Sequence, residues 1–335
     1  MALFTIQNEF RYDIVRKIFE GGMGVVYEAE QRGARDFVKR VAIKVVRPNY
    51  ASQTTFIENF IGEAKLVADL IHTNIVQTYH LGEANGVYFI AMELIRGVNL
   101  EQFAQQLTDK RRILPRELAV FITSRIARGL AYAHAKLDKN GHSLGIVHRD
   151  VSLKNIMVAF EGDVKLTDFG IAKAKGFLID NEGEVVAGKA DYMSPEQADF
   201  KITDKRSDLF SVGVVLGHLL LGRNIFKGPT AEESRQRVMT MPIPDFRKLD
   251  ERIDDALNEI LQSCLSRDLA QRYATADELM TALEYYIYKG GYGPTNETLG
   301  KFIRELFGQS VPAAATTTAV GGTVLIEHTA RIAKT

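Results

Sequence analysis

Residues 148–158 read HRDVSLKNIMV, a stretch that sets Asp150, Lys154 and Asn155 close together and then turns apolar at Ile156. It is too polar for a core strand, yet its last residues begin one. A polar loop feeding a buried strand is where a fold can hold reactive groups still. By itself the stretch also suits a surface turn whose charges happen to cluster, so its neighbours decide. Shortly after comes VKLTDFG, residues 164–170, a second short strand ending in Asp168, Phe169 and Gly170. Asn155 and Asp168 therefore bracket a hairpin and offer oxygen ligands at its base. Hard oxygen donors without a histidine or cysteine set suit magnesium held partly by substrate phosphates. Asp150, on the same loop as Asn155, is placed to accept a proton from an incoming hydroxyl.

Toward the N-terminus, FEGGMGVVYEA (19–29) puts Gly21, Gly22, Met23 and Gly24 between two strand-like runs. That suits a hairpin turn bringing backbone amides close to phosphates. A strand follows it and not a helix, which excludes a dinucleotide fingerprint or an NTPase phosphate loop; an ordinary tight hairpin is the plainer alternative. In VAIKVV (41–46), alternation sends Val41, Ile43 and Val45 one way and Ala42, Lys44 and Val46 the other. A lysine on that face needs an anion. Glu63, on the helical stretch TTFIENFIGEAKLVADLI, is the carboxylate best placed, a phosphate being the other partner. In this order the groups make a phosphoryl-transfer site.

Composition bounds the rest. The 335 residues are 46% hydrophobic and 25% charged, with 42 basic residues against 42 acidic. Zero formal charge offers no general pull toward nucleic acid or anionic membrane. The one cysteine, Cys264, reads as a core thiol; it excludes an intramolecular disulfide and a cysteine metal cluster. The start, MALFTIQNEFRYDIV, carries acidic residues and no long apolar run, so a signal peptide and a membrane span are not expected. A cytoplasmic enzyme or signalling protein fits.

Up to about residue 95 the chain reads mostly as strands, with NIVQTYHLGE and GVYFIAMEL a hairpin pair turned by EANG. Helices dominate afterwards. PRELAVFITSRIARGLAYAHA opens at Pro115 with an apolar face, and DLFSVGVVLGHLLLG is apolar nearly all round, as expected of a buried helix. The expectation is an α+β chain of two lobes: 1–95 small and strand-rich with one main helix, 96–290 larger and mostly helical. A C-terminal extension, 291–335, holds a short helix in NETLGKFIRELFG and then a partly flexible tail. The boundary between the lobes is a natural ligand cleft.

Together GGMGVVYEA, VAIK (41–44), HRDVSLKN (148–155), DFG (168–170), SPE (194–196) and SDLFSVG (207–213) resemble the eukaryotic-like protein kinase family, particularly its bacterial serine/threonine members. The likeness covers about residues 10–288 and implies a bilobal kinase fold. It implies that Lys44 contacts the α/β-phosphates, Glu63 holds Lys44, and Asp150 orients the acceptor hydroxyl. Asn155 and Asp168 would hold magnesium, with manganese the alternative metal. Val26, Ala42 and Met157 would sandwich the adenine of ATP, Met92 would be the gatekeeper, and Glu93 to Ile95 would hydrogen-bond the base. Arg272 would pair with Glu196. Protein substrates follow from the same likeness, as do self-association and autophosphorylation; the small-molecule phosphotransferases of related shape lack the SPE segment and its arginine.

Four departures stand out. Phe19 replaces the first loop glycine. Ser152 stands where serine/threonine kinases carry a lysine near the γ-phosphate, while Lys154 matches an arginine of tyrosine kinases. Lys189 replaces the threonine that hydrogen-bonds the catalytic aspartate. No serine or threonine lies between Gly170 and Met193, where Arg149 would meet a phosphorylated residue; Glu182, Glu184 and Tyr192 are the candidates left. Lys154 and Lys189 are therefore candidate stand-ins for the missing cation, and a weak or inactive pseudokinase scaffold is the alternative reading.

Overall fold

Alternating β-rich residues in the first third of the chain assemble into one antiparallel sheet. Its strands are β1 (Phe4–Gln7), β2 (Arg11–Glu20), β3 (Gly24–Arg32), β4 (Val38–Val46), β5 (Thr78–Ala84) and β6 (Val87–Glu93), in the order β1-β2-β3-β4-β6-β5. The computed structural model describes residues 2–21, 24–47, 54–169 and 190–309. The β5–β6 hairpin turns on Asn85 and Gly86, both at positive φ (52° and 75°), the two-residue geometry that matches strand twist. Helix α1 (Thr54–Ala68) crosses one face of the sheet. Its Ile57, Phe60 and Ala64 recur at helical spacing and bury against Val46 and Ile90. The opposite face buries Val41 and Ile43 with Tyr12, Ile14 and Phe89. The alternation along β4 thus sorts its side chains between two cores, with Lys44 on the α1 side.

The second lobe is built on α2 (Leu100–Asp109), α3 (Arg116–His134), α4 (Pro195–Ala198), α5 (Lys205–Leu221), α6 (Ala231–Thr240), α7 (Asp255–Cys264), α8 (Ala276–Tyr288) and α9 (Asn296–Phe307). Helix α5 is buried around almost its whole circumference, from Ser207 to Leu220, and α3 packs against both α5 and α8. Cys264 is fully buried, and burial pushes its thiol up to about 12, so it is a packing residue.

A three-stranded sheet, β7 (Gly97–Asn99), β8 (Ile156–Ala159) and β9 (Val164–Leu166), lies where the lobes meet. The segment after α1 is stitched to it: Val76 N donates to the Leu166 carbonyl at 2.8 Å, Leu166 N to the Asn74 carbonyl at 2.9 Å, and the Asn74 amide to the Val164 carbonyl at 2.9 Å. These bonds fix the hairpin that carries Asn155 and Asp168 against the small lobe.

Candidate active site

The loop between α3 and β8 is held from beneath by a single buried carboxylate. Asp208, in the first turn of α5, accepts the backbone N–H of His148 at 2.8 Å and of Arg149 at 2.7 Å, and meets Nε2 of His134 at 2.8 Å. A fixed anion beneath two consecutive amides sets the loop's path, and Arg149 completes the bend at φ 60°. The His148 ring contacts Phe169 at 4.4 Å between centroids and lies 3.1 Å from the Thr167 carbonyl through Nε2. Burial pushes the His148 imidazole below its usual range, against the opposing pull of Asp208 and Asp150, which favours the neutral ring.

Above this support, a single 3₁₀ turn, Leu153–Asn155, decides which side chains stay accessible. Val151 and Leu153 sink into the large-lobe core and Ser152 is buried beside them, while Asp150 stays half-buried and Lys154 exposed. The Asn155 amide donates to Asp150 twice, to its carbonyl at 2.9 Å and to Oδ2 at 2.7 Å. That fixes the carboxylate and commits the nitrogen end of Asn155 to Asp150, so only its oxygen end could hold a cation. Asp168, at φ 55°, turns out of β9 and meets the Lys44 ammonium at 2.5 Å, joining the lobes directly. Asn155 and Asp168 are both hard oxygen donors on one short hairpin, a donor set that fits magnesium or manganese.

The apolar residues expected around a base lie on paired strands of the two sheets. Val26 faces Lys44 across β3–β4, Ala42 faces Met92 across β4–β6, and Met157 sits on β8 opposite Asn99 and Lys165. Val26, Met92, Ile95 and Met157 are half-buried. Glu93 is tied at the edge of the cleft: its N–H donates to the Gln77 carbonyl at 2.8 Å and its carboxylate meets Lys165 at 3.0 Å. In the glycine turn, Gly21 N donates to the Gly24 carbonyl at 2.9 Å. A Cβ at Gly24 would lie 2.5 Å from the Val45 carbonyl oxygen, so only glycine passes there. Gly22, Met23, Lys189 and the side chain of Glu63 lie outside the described residues, as do Glu182, Glu184 and the tail beyond 309.

The departures acquire geometry. Phe19 is exposed, opposite Val26. Ser152 is buried, and its Oγ has no hydrogen-bond partner among the described residues. Lys154 lies 3.6 Å from Glu101 in the first turn of α2. Tyr192 is not displayed for modification: its hydroxyl shares a 2.8 Å hydrogen bond with Nδ1 of His218, the two rings stack, and burial raises the phenol far above its ordinary range. The Glu196 carboxylate takes a fork from Arg272, at 2.8 and 3.2 Å, and the Ser207 hydroxyl at 2.7 Å. Gln197, next to Glu196, donates to the Arg149 carbonyl at 3.0 Å, linking α4 to the loop.

The protein kinase domain family matches residues 12–283. The chain belongs to the protein kinase family. Among curated relatives, the chain is 35% identical over 93% of its length to the tyrosine-protein kinase MasK of Myxococcus xanthus. It is 34% identical over 80% to the serine/threonine-protein kinase PrkC of Bacillus subtilis, and 34% over 82% to the serine/threonine-protein kinase PknL of Mycobacterium tuberculosis. It spans 49%, 39% and 65% of those proteins respectively. A crystal structure of a single-residue variant of the Mycobacterium tuberculosis PknI kinase domain shares the fold, with a TM-score of 0.62 at 24% identity, over 85% of this chain and 98% of that one. Among the described residues no helix is long and apolar enough to cross a membrane.

Sequence reasoning missed three working parts. The Asp208 anchor lay unremarked inside the SDLFSVG motif. The Lys44–Asp168 contact joins residues 124 positions apart, which no local pattern reports. Lys165, the partner of Glu93, reads as an ordinary strand lysine.

Proposed function

We propose that the chain is an ATP-dependent protein kinase acting on serine or threonine hydroxyls of proteins, itself included. The observation that supports the reading is that Lys44 meets Asp168 while Asn155 holds Asp150, the two pairs being linked through the Thr167 N–H, next to Asp168, which donates to the Asn155 carbonyl at 3.0 Å. In this reading Val26, Ala42 and Met157 hold adenine beneath Met92, and the backbone of Glu93 to Ile95 reads its edge. Gly21, Gly22, Met23 and Gly24 cover the phosphates, and Lys44, held also by Glu63, steadies the α/β-phosphates. Asn155 and Asp168 would hold magnesium, or manganese in its place; a metal bound there supplies charge neutralisation for the phosphates. Asp150 accepts the proton of the acceptor hydroxyl as its oxygen forms a bond to the γ-phosphorus. The bond to the β,γ-bridging oxygen breaks and ADP leaves with it. Lys154 and Lys189 supply the positive charge that Ser152 does not.

Serine/threonine specificity is supported by the names of PrkC and PknL, while MasK is named for tyrosine. Lys154 keeps the question sharp, because tyrosine kinases carry an arginine at its position. Incubating the purified chain with labelled ATP, magnesium and generic protein substrates, followed by phosphoamino-acid analysis, should give phosphoserine and phosphothreonine. Label found only on tyrosine would refute the specificity, and the absence of any label would refute the activity.

A further inference from the structure

Helix α9 lies beyond residues 12–283, the span of the family match, yet it is built into the lobe. Leu299, Ile303 and Leu306 form one buried face, and Phe302 and Phe307 pack on Phe103 and Phe160 at 6.2 and 6.1 Å between ring centroids. Two of its polar side chains reach the turn between β8 and β9. The Asn296 amide donates to Asp163 Oδ1 at 2.6 Å, and Arg304 Nη1 donates to the Phe160 carbonyl at 2.6 Å. Two glycines let the backbones touch. A Cβ at Gly162, where φ is 96°, would lie 1.8 Å from the Asn296 carbonyl oxygen; one at Gly300 would lie 2.6 Å from the Glu161 carbonyl oxygen and 2.9 Å from Arg304 Nη1. Arg304 therefore crosses over bare backbone to reach the turn.

That turn closes the hairpin from which the nucleotide site hangs. Met157 is on β8, Asn155 immediately precedes it, and Asp168 follows β9. Phe160 also donates its N–H to the Arg96 carbonyl at 2.9 Å, in the connection between the lobes. One helix thus braces the floor of the adenine pocket and the segment beside it. We propose that α9 is a clamp on the nucleotide pocket, with Arg304 and Asn296 as positioning residues that hold the β8–β9 turn in register with Glu93–Arg96. This rests on the kinase reading above. Undocking α9 removes no group that takes part in phosphoryl transfer, so it should weaken nucleotide binding while leaving saturated turnover nearly intact.

The test uses the full chain with Arg304→Ala, Arg304→Lys and Gly300→Ala. The last variant improves helix propensity while forcing α9 off the turn, so it separates docking from helix stability. Three readouts are needed: ADP affinity with magnesium, the KM for ATP against kcat, and amide exchange at Val158 to Phe160. Arg304→Ala and Gly300→Ala should weaken ADP binding roughly three- to ten-fold, the scale of one lost hydrogen bond. Both should hasten exchange in the turn and change kcat by less than about twofold, and Arg304→Lys should recover part of the affinity. A lower melting temperature with unchanged ADP affinity and KM would overturn the clamp. If the unaltered chain binds no nucleotide, the kinase reading falls and the clamp falls with it; nucleotide binding by the unaltered chain with unchanged affinity in Arg304→Ala overturns the clamp alone.

Discussion

Replacing Arg272 with alanine isolates the ion pair that ties α4 to the large lobe. The Arg272 side chain is fully buried and that of Glu196 is 12% exposed. Removing the guanidinium leaves Glu196 with the Ser207 hydroxyl. It also strips the carbonyls of Ser266 and Arg206 of the donors they receive at 2.9 Å, and removes a cation packed over the Phe210 ring. Breaking a buried pair by deleting one partner costs about 3–5 kcal/mol, mostly because the remaining charge stays buried. Against a total stability of about 5–15 kcal/mol that is a large fraction, and it should lower Tm by roughly 5–10 °C for a domain of this size. The pH dependence has a definite sign. Burial alone would raise the Glu196 carboxyl, but the Arg272 hydrogen bonds and charge, with Ser207, outweigh it and hold the group below 4.5. The pair's contribution is therefore complete above pH 4.5 and fades as pH falls through the lowered folded value. Thermal or urea unfolding of both proteins from pH 7 downward should show a wide gap that narrows in acid. A variant melting within about 1 °C of the wild type at pH 7 would refute the reasoning.

Two further predictions concern the unusual residues. Tyr192→Phe removes only the hydroxyl bonded to His218, so it should cost about 1 kcal/mol of stability and leave kinase activity in place; loss of activity with phosphate found on Tyr192 in the wild type would contradict this. Lys154→Ala, Lys189→Ala and the double variant form a cycle: if both cations meet the developing charge, kcat losses should be non-additive by about 0.5–3 kcal/mol, and a double variant with native kcat would show that neither stands in for the lysine missing at Ser152.

The two-lobed plan was legible because its signals are local. Val41 to Val46 alternates, EANG marks the β5–β6 turn, and the largely apolar stretch Leu209 to Leu220, apolar nearly all round a helix, reads as buried, which α5 is. What stayed hidden was set by tertiary contact. Strand β1 is four residues, mostly exposed, and gains its identity only by pairing with β2 from Ile14 to Arg11. Helix α2 had a readable sign, the Asn99–Gln102 capping box ahead of Leu100, Phe103 and Leu107, which passed unnoticed. In the candidate site, the grouping of Asn155 and Asp168 was legible because they flank a short hairpin, with Asp150 on the loop that leads into it. Their partners were not: Asp208 reaches the loop from a helix 60 residues away from His148. The bracing of the hairpin turn by α9 likewise depends on Gly162 and Gly300 meeting across 138 positions, with no pattern in either segment alone.

The most direct test of the central claim is the Asp150→Asn variant, assayed for phosphoryl transfer from ATP and, separately, for nucleotide affinity. In the proposed mechanism Asp150 orients the acceptor and takes its proton but does not hold the nucleotide. Turnover should therefore fall on the order of 10²–10⁴-fold while ATP affinity stays near that of the wild type. Near-normal turnover in the variant would contradict the account.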